Sequence, residues 1–256
     1  ARTMLQRYVR FVAPRGSVAW ILDDDKRLTP VMLRDGRLVR GEQDTVGRLL
    51  ALRECGADIV LGVDTGAAPL PMSMTLRVQL VDLQTNLADL RALSPDAPWP
   101  ERLADNLEAV RTAPDTYYHD LARHPVHHLE RPFGFVPEVP GGSVRETFIE
   151  LCRRAPRILA GEQVFRPLFV EAGAPLTVRP SVRRGGNTLF VDLDALVDVP
   201  QRAPEADDRS SRRSDMVSAI LNAAVRRRRV VEASFPVDHD RTDLAERAVA
   251  VDTLVD

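Results

Sequence analysis

Cysteine and lysine are both nearly missing from this chain of 256 residues. The two cysteines, Cys55 and Cys152, stand far apart and in no Cys-x-x-Cys pattern, which excludes a disulfide framework and a cysteine-based zinc site. A reducing compartment follows, and the cytoplasm is the expected location. Lys26 is the sole lysine; arginine supplies the rest of the 35 basic residues, a bias that reads as GC-rich coding sequence rather than as chemistry. Charge of one sign is lacking too. The 35 basic and 37 acidic residues leave a net charge of −2, so no global field exists to grip nucleic acid or an anionic membrane. No apolar run approaches the ~18 residues of a membrane span, and no basic-then-apolar leader opens the chain; neither a transmembrane segment nor a signal peptide is expected. The chain opens on Ala1 rather than on an initiator methionine, which leaves room for residues upstream. What is plentiful is apolar side chain, 44% of the total, enough for one large domain or two small ones without covalent staples.

Periodicity sorts this apolar content into elements. Met4, Leu5, Tyr8, Val9 and Val12 predict a helix over 1–13, ended by Pro14, Arg15 and Gly16. Ser17–Leu22 reads as a short buried strand that stops at Asp23, Asp24 and Asp25. After a turn-rich stretch, Gln43–Cys55 predicts a helix with Val46, Leu49, Leu50 and Leu52 on its apolar side, closed by Gly56. Ile59–Leu61 is the next strand. Strand, helix and strand at these lengths predict an α/β fold with a mostly parallel sheet flanked by helices. Leu76, Leu80, Leu83, Leu87 and Leu90 predict a long helix that opens a helical insertion over about 70–165. Within it, Glu146–Ala160 is helical, and 94–140 is rich in proline, aromatics and histidine. Beyond it come a strand at Leu189–Val191, a polar loop over 201–213, a helix from about Asp215 to Val225 and a strand at Val230–Phe235.

Four places carry candidate chemistry. In open α/β sheets ligands bind beyond the carboxyl ends of strands, so Asp23 and Asp25 would project into a site, where two carboxylates can share one hard cation such as Mg²⁺ or Mn²⁺. A solvated acidic turn is the plain alternative. Gly185 and Gly186 before Asn187 let backbone approach a ligand closely, or merely make a tight turn. Arg213, Ser214 and Asp215 open a helix; Ser214 suits the N-cap, and Asp215 in the first turn is held ionised by the helix dipole, ready to accept a proton or simply to start a helix. His239, directly after a strand, offers an imidazole ligand whose tautomer an adjacent acid can hold.

In this order the four resemble a GT-A glycosyltransferase of the large family-2 type, with the spacing of its galactofuranosyl-type members. Ala1 and Arg2 are similar to the family's helix opening, Trp20–Asp25 to its DXD-type motif, Gly185–Leu196 to its Gly-x-Asn strand, Ser214 and Asp215 to its acidic pair, and His239 to its late histidine. The likeness covers 1–66 and 180–241. It implies a single GT-A-like catalytic domain over 1–256, with the upstream nucleotide-binding part absent from the chain. It also implies a divalent metal, Mn²⁺ or Mg²⁺, on Asp23, Asp25 and His239, and Asp215 as general base of an inverting transfer from a nucleotide-sugar donor to a hydroxyl acceptor, a sugar or small molecule. Asp24, Gly185, Gly186, Asn187, Arg213 and Ser214 would contact substrate. The chain departs from the pattern in reading Ser-Asp for Glu-Asp and in carrying the insertion, where Tyr117, Tyr118, His119, Asp120, His124, His127, His128, Glu130 and Phe133 form either an acceptor pocket or a packed cap. Two alternatives stand beside this reading. One is a non-catalytic GT-A-like binding or assembly protein; the other is a haloacid-dehalogenase-like phosphohydrolase using Asp23 and Asp25, against which Lys26 and Arg27 intrude and a second lysine is wanting.

Overall fold

The computed structural model describes residues 8, 11–14, 16–23, 25–67, 72–112, 132–159, 161–181, 187–199, 205–206, 209–210 and 214–240; at 72–75, 110–112, 187–188, 205–206, 209–210 and 214–215 the description is of the backbone alone. The helix expected over 1–13 lies mostly outside these residues, although Val12 N and Ala13 N donate to Tyr8 O as in a helical turn. In chain order the elements are β1 (Val18–Leu22), β2 (Lys26–Arg27), β3 (Val31–Arg34), β4 (Arg37–Arg40), α1 (Thr45–Glu54), β5 (Ile59–Gly66), α2 (Met72–Ala92), α3 (Leu103–Thr112) and α4 (Val144–Arg154). A 3-10 turn (Ala155–Ile158) follows, then β6 (Val170–Glu171), β7 (Val178–Pro180), β8 (Asn187–Asp192), α5 (Leu193–Asp198), β9 (Glu205–Ala206), β10 (Arg209–Ser210), α6 (Ser214–Ala224) and β11 (Val230–His239). The chain divides into two compact units. Ala1–Met32, Arg40–Asp64 and Val170–Asp238 make the first; Leu33–Val39, Thr65–Phe169 and His239–Asp256 make the second. Among the described residues no helix is long and apolar enough to cross a membrane.

The first unit is built on a mixed sheet in the order β1-β8-β5-β11-β2, with β7 paired to β11. β8 runs antiparallel to both β1 and β5, and β7 antiparallel to β11. β5 and β11 run the same way: Asp58 N and Ile59 N donate to Arg229 O at their starts, and Ala67 N donates to His239 O beyond. The sheet is therefore only partly parallel, which corrects the expectation of a mostly parallel one. Composition identifies β8 as a strand, but its direction is set by where a much later part of the chain re-enters the sheet. The stretch read as turn-rich contains the β3–β4 hairpin, turned by Asp35 and Gly36, whose φ values of 50° and 71° suit a two-residue hairpin loop.

Both faces of the sheet are covered. Ile59 and Leu61 of β5 join Leu193 and Leu196 of α5 and Ala219 of α6, whereas Val60 between them joins Leu52 of α1, Phe235 and Val237. Burial on two sides is why Ile59–Leu61 is continuously apolar instead of alternating. Register shifts between β8 and each neighbour mark a bulge, and its residues Leu189 and Phe190 accordingly pack into the same cluster. α1 begins at Thr45, two residues after the predicted start, because the Asp44 side chain caps it by accepting from Gly47 N at 2.9 Å, and Gly56 closes it at φ 70° as predicted. Its apolar side is narrower than the sequence suggests, since Val46 and Leu50 are exposed and Leu52 alone is fully buried. Nor is β1 a buried strand. It is an edge, paired to β8 only, and Val18 and Trp20 are exposed.

The second unit holds α2, α3, α4 and a core of Trp99, Phe133, Phe135, Val144, Leu151, Ile158 and Phe165. α2 stands where the leucine spacing predicts, and Leu76, Leu83 and Leu90 pack into the core, but the leucine row is buried only in part. Leu80 and Leu87 are exposed, while Val78, Gln79, Asp82 and Asn86 are buried. The reason lies in two chain segments outside the helices and strands that lie against this face. Gln79 donates to Glu162 O at 2.7 Å and accepts from Val164 N at 2.7 Å. Asn86 donates to Phe133 O at 2.8 Å and accepts from Phe135 N at 2.6 Å, and Asp82 accepts from Phe133 N at 3.0 Å. Polar side chains at helical spacing thus supply the hydrogen bonds that a neighbouring strand would have given. Asp82 also receives both arms of Arg166, each at 2.6 Å, and that guanidinium lies 4.2 Å from the Phe133 ring centroid. Burial pushes the Asp82 carboxyl up; the hydrogen bond and charge of Arg166 and the Phe133 N–H pull it down.

Both members of this pair are fully buried, so removing one strands the other. Arg166→Leu is expected to lower stability by about 3–5 kcal/mol, read by urea unfolding; a loss below about 1 kcal/mol, the range of an ordinary substitution, would show that the pair does not anchor this unit.

Candidate active site

The acidic motif is a tight turn between two strands of the first unit. β1 ends at Leu22, β2 begins at Lys26, and Lys26 N donates back to Asp23 O at 3.1 Å, which makes 23–26 a β-turn. Asp23 is exposed and Asp25 half-buried; Asp24 lies outside the described residues. The turn is framed on both sides, because β1 pairs with β8 and β2 pairs with β11. In the first pairing Leu22 sits opposite Asn187 and Ile21 opposite Thr188. Two motifs more than half the chain apart in sequence, the acidic triplet and the start of the Gly-Gly-Asn strand, are therefore neighbours in the sheet. Gly185, Gly186 and the Asn187 side chain lie outside the description.

Since β1 is parallel to β5 across β8, and β5 to β11, the acids towards the ends of these three strands collect at one edge. Asp64 of β5 is paired with Lys26 Nζ at 2.6 Å, and the Lys26 side chain is only 3% exposed. Asp238 of β11 is fully buried and forms an ion pair with Arg40. Sequence reasoning missed all four of these residues. Asp64 left a trace, as a lone acid inside an apolar run, but its partner lies 38 positions away. The lysine set aside as compositional accident is the buried cation of this edge.

His239 differs from its expected setting. It is the last residue of β11, not a loop residue after a strand, and it is 5% exposed. The predicted strand ends at Phe235 because Pro236 cannot donate to a ladder, yet β11 runs through it; the Pro236 carbonyl accepts from Gln43 Nε2 at 2.8 Å. In the second unit His239 Nδ1 lies 2.9 Å from Ala67 O. A carbonyl can only accept, so Nδ1 carries the proton shared with Ala67 O. Carboxylates are the hard oxygen donors that Mn²⁺ or Mg²⁺ prefers. Among the described residues no group of three or more His, Cys, Asp or Glu side chains is placed to hold a metal ion.

α6 opens at Ser214, one residue before the predicted start, which makes Ser214 and Asp215 its first two residues instead of cap and first residue. Their side chains and Arg213 lie outside the description. Of the loop over 201–213, the described part is the two-stranded ribbon β9–β10. Tyr117, Tyr118, His119, Asp120, His124, His127, His128 and Glu130 fall outside the described residues. Phe133 is buried core beneath Arg166, unavailable for stacking on a ligand. No family model matches the chain, and neither a curated protein nor a solved structure matches it.

The tautomer of His239 is open to direct measurement. Nitrogen-15 NMR at a pH where the ring is neutral is expected to show a protonated Nδ1; an unprotonated Nδ1 would contradict the hydrogen bond to Ala67 O.

Proposed function

We propose that this protein is a divalent-metal-dependent glycosyltransferase of GT-A-like architecture, moving a sugar from a nucleotide-diphosphate donor to a hydroxyl acceptor with inversion. The observation that supports this most is the β1–β8 register, in which the end of the acidic strand and the start of the Gly-Gly-Asn strand stand side by side. In this reading Asp23 and Asp25 hold Mn²⁺ or Mg²⁺.

The chemistry such an ion supplies is stabilisation of charge on the departing nucleoside diphosphate. The chain's own groups do the rest. Asp215, in the first turn of α6, takes the proton of the attacking hydroxyl. By the family resemblance, Gly185, Gly186, Asp24, Asn187, Arg213 and Ser214 are the substrate-binding residues.

The test is a panel of sugar nucleotides with Mn²⁺, read as release of nucleoside diphosphate in the presence of hydroxyl acceptors. One donor should turn over, chelation should stop it and Mn²⁺ should restore it. Asp215→Asn should lower turnover by about 10²–10⁴-fold, the usual contribution of a general base, with donor affinity kept. Asp25→Asn should weaken Mn²⁺ binding. Donor binding without turnover would favour the non-catalytic binding protein, and unchanged turnover in Asp215→Asn would remove that residue as base.

A further inference from the structure

Lys26 is the chain's one lysine, and it is spent on a side chain that solvent barely reaches. Its backbone closes the acidic turn through the hydrogen bond to Asp23 O, and its ammonium is held 2.6 Å from Asp64 on β5. Lys26 also belongs to β2, which pairs with β11. One residue therefore fixes the exit of the turn in three ways: to the turn's own first residue, to the next strand edge, and to a carboxylate two strands from β1. The entry is fixed separately by the Leu22–Asn187 pairing. A turn tied at one end only would let the carboxylate of Asp25 sweep through many orientations; tied at both, it presents its oxygens in one.

We propose that Lys26 and Asp64 are a positioning pair that fixes the geometry of the Asp23–Asp25 turn for cation binding. This rests on the proposed metal site, but its physical content is separate and has a distinctive sign. Lys26 is a positive charge one residue from Asp25, so on Coulombic grounds alone its removal should tighten binding of a divalent cation. If Lys26 acts by holding the turn, removal should loosen binding instead. Outer residues that orient ligands typically carry about 10–100-fold in metal affinity, enough for the two effects to be told apart by direction. The pair is also a charge relationship rather than a shape, so an arginine that keeps the ion pair should restore what an apolar residue of similar length loses.

The experiment uses the whole chain and Mn²⁺ alone as probe, with binding followed by electron paramagnetic resonance and the turn followed by hydrogen exchange of the peptide spanning 20–27. Lys26→Met is expected to weaken Mn²⁺ binding at least about tenfold and to speed exchange at the residue 26 amide. Lys26→Arg should recover most of both. The double variant Lys26→Met, Asp64→Met removes the two charges together and should stay as weak as Lys26→Met. Tighter Mn²⁺ binding in Lys26→Met, or unchanged exchange at residue 26, overturns the positioning role. Wild-type protein that binds no Mn²⁺ overturns the metal-site reading instead, and the exchange rates then decide the pinning of the turn by themselves. Global unfolding of Lys26→Met would speed exchange in every peptide, whereas loss of pinning confines it to 20–27. If Lys26→Met is too unstable to study, Lys26→Arg with and without Asp64→Asn carries the same comparison, with loosened exchange expected only when the acid is lost and equal exchange in both overturning the proposal.

Discussion

β8 enters the first unit's sheet against the direction of both its neighbours, and this reversal decides which residues meet at the acidic edge. Because it starts where β1 finishes, Asn187 stands opposite Leu22, the last residue of β1. A slip of one residue would send every β8 side chain to the opposite face. The bulge at Leu189 and Phe190 absorbs the shifts against both partners and fastens that register by burying two consecutive apolar residues on one side. With β1, β5 and β11 pointing the same way around it, acids near three strand ends share one edge.

That edge is assembled from pairs of opposite charge rather than from bare carboxylates. Lys26 meets Asp64 and Arg40 meets Asp238, each across a wide gap in sequence and each with one partner almost wholly buried. Buried ion pairs add little net stability, but they fix geometry because neither member tolerates losing the other. The second unit uses the same device. Arg166 and Asp82 are sealed from solvent, and Gln79 and Asn86 extend the arrangement along α2 by hydrogen-bonding to two segments outside the helices and strands. In both units, polar groups that look expendable in sequence set where backbone lies.

Local signals in the sequence were sufficient for α1 with its terminal Gly56, for the apolar run of β5 and for the presence of α2, but they start α4 at Glu146, two residues inside a helix that begins at Val144 behind the reciprocal capping box of Ser143 and Glu146. These depend on neighbours within a turn or two. What was not legible depends on partners far away. The leucine row of α2 has the correct period, yet Leu80 and Leu87 face outward because the chain's own backbone at 133–135 and 162–165 competes for the opposite face. β11 continues past Pro236, and the direction of β8 is invisible in its composition. At the candidate site, the acidic triplet and His239 drew attention through chemistry visible in a single residue. Lys26 and Asp64 did not, since each is ordinary until the fold brings it to the other.

The functional proposal thus reduces to a physical statement about one turn: that its carboxylates, held between β1 and β2, form the seat of a divalent ion. Diffraction at the manganese edge, from crystals of the whole chain grown with Mn²⁺ and a nucleoside diphosphate, addresses it most directly. The account predicts an anomalous peak roughly 2.0–2.6 Å from carboxylate oxygens of Asp23 and Asp25, the range of hard cations on oxygen ligands. An ordered turn with no peak beside it, or manganese bound only elsewhere on the molecule, would contradict it.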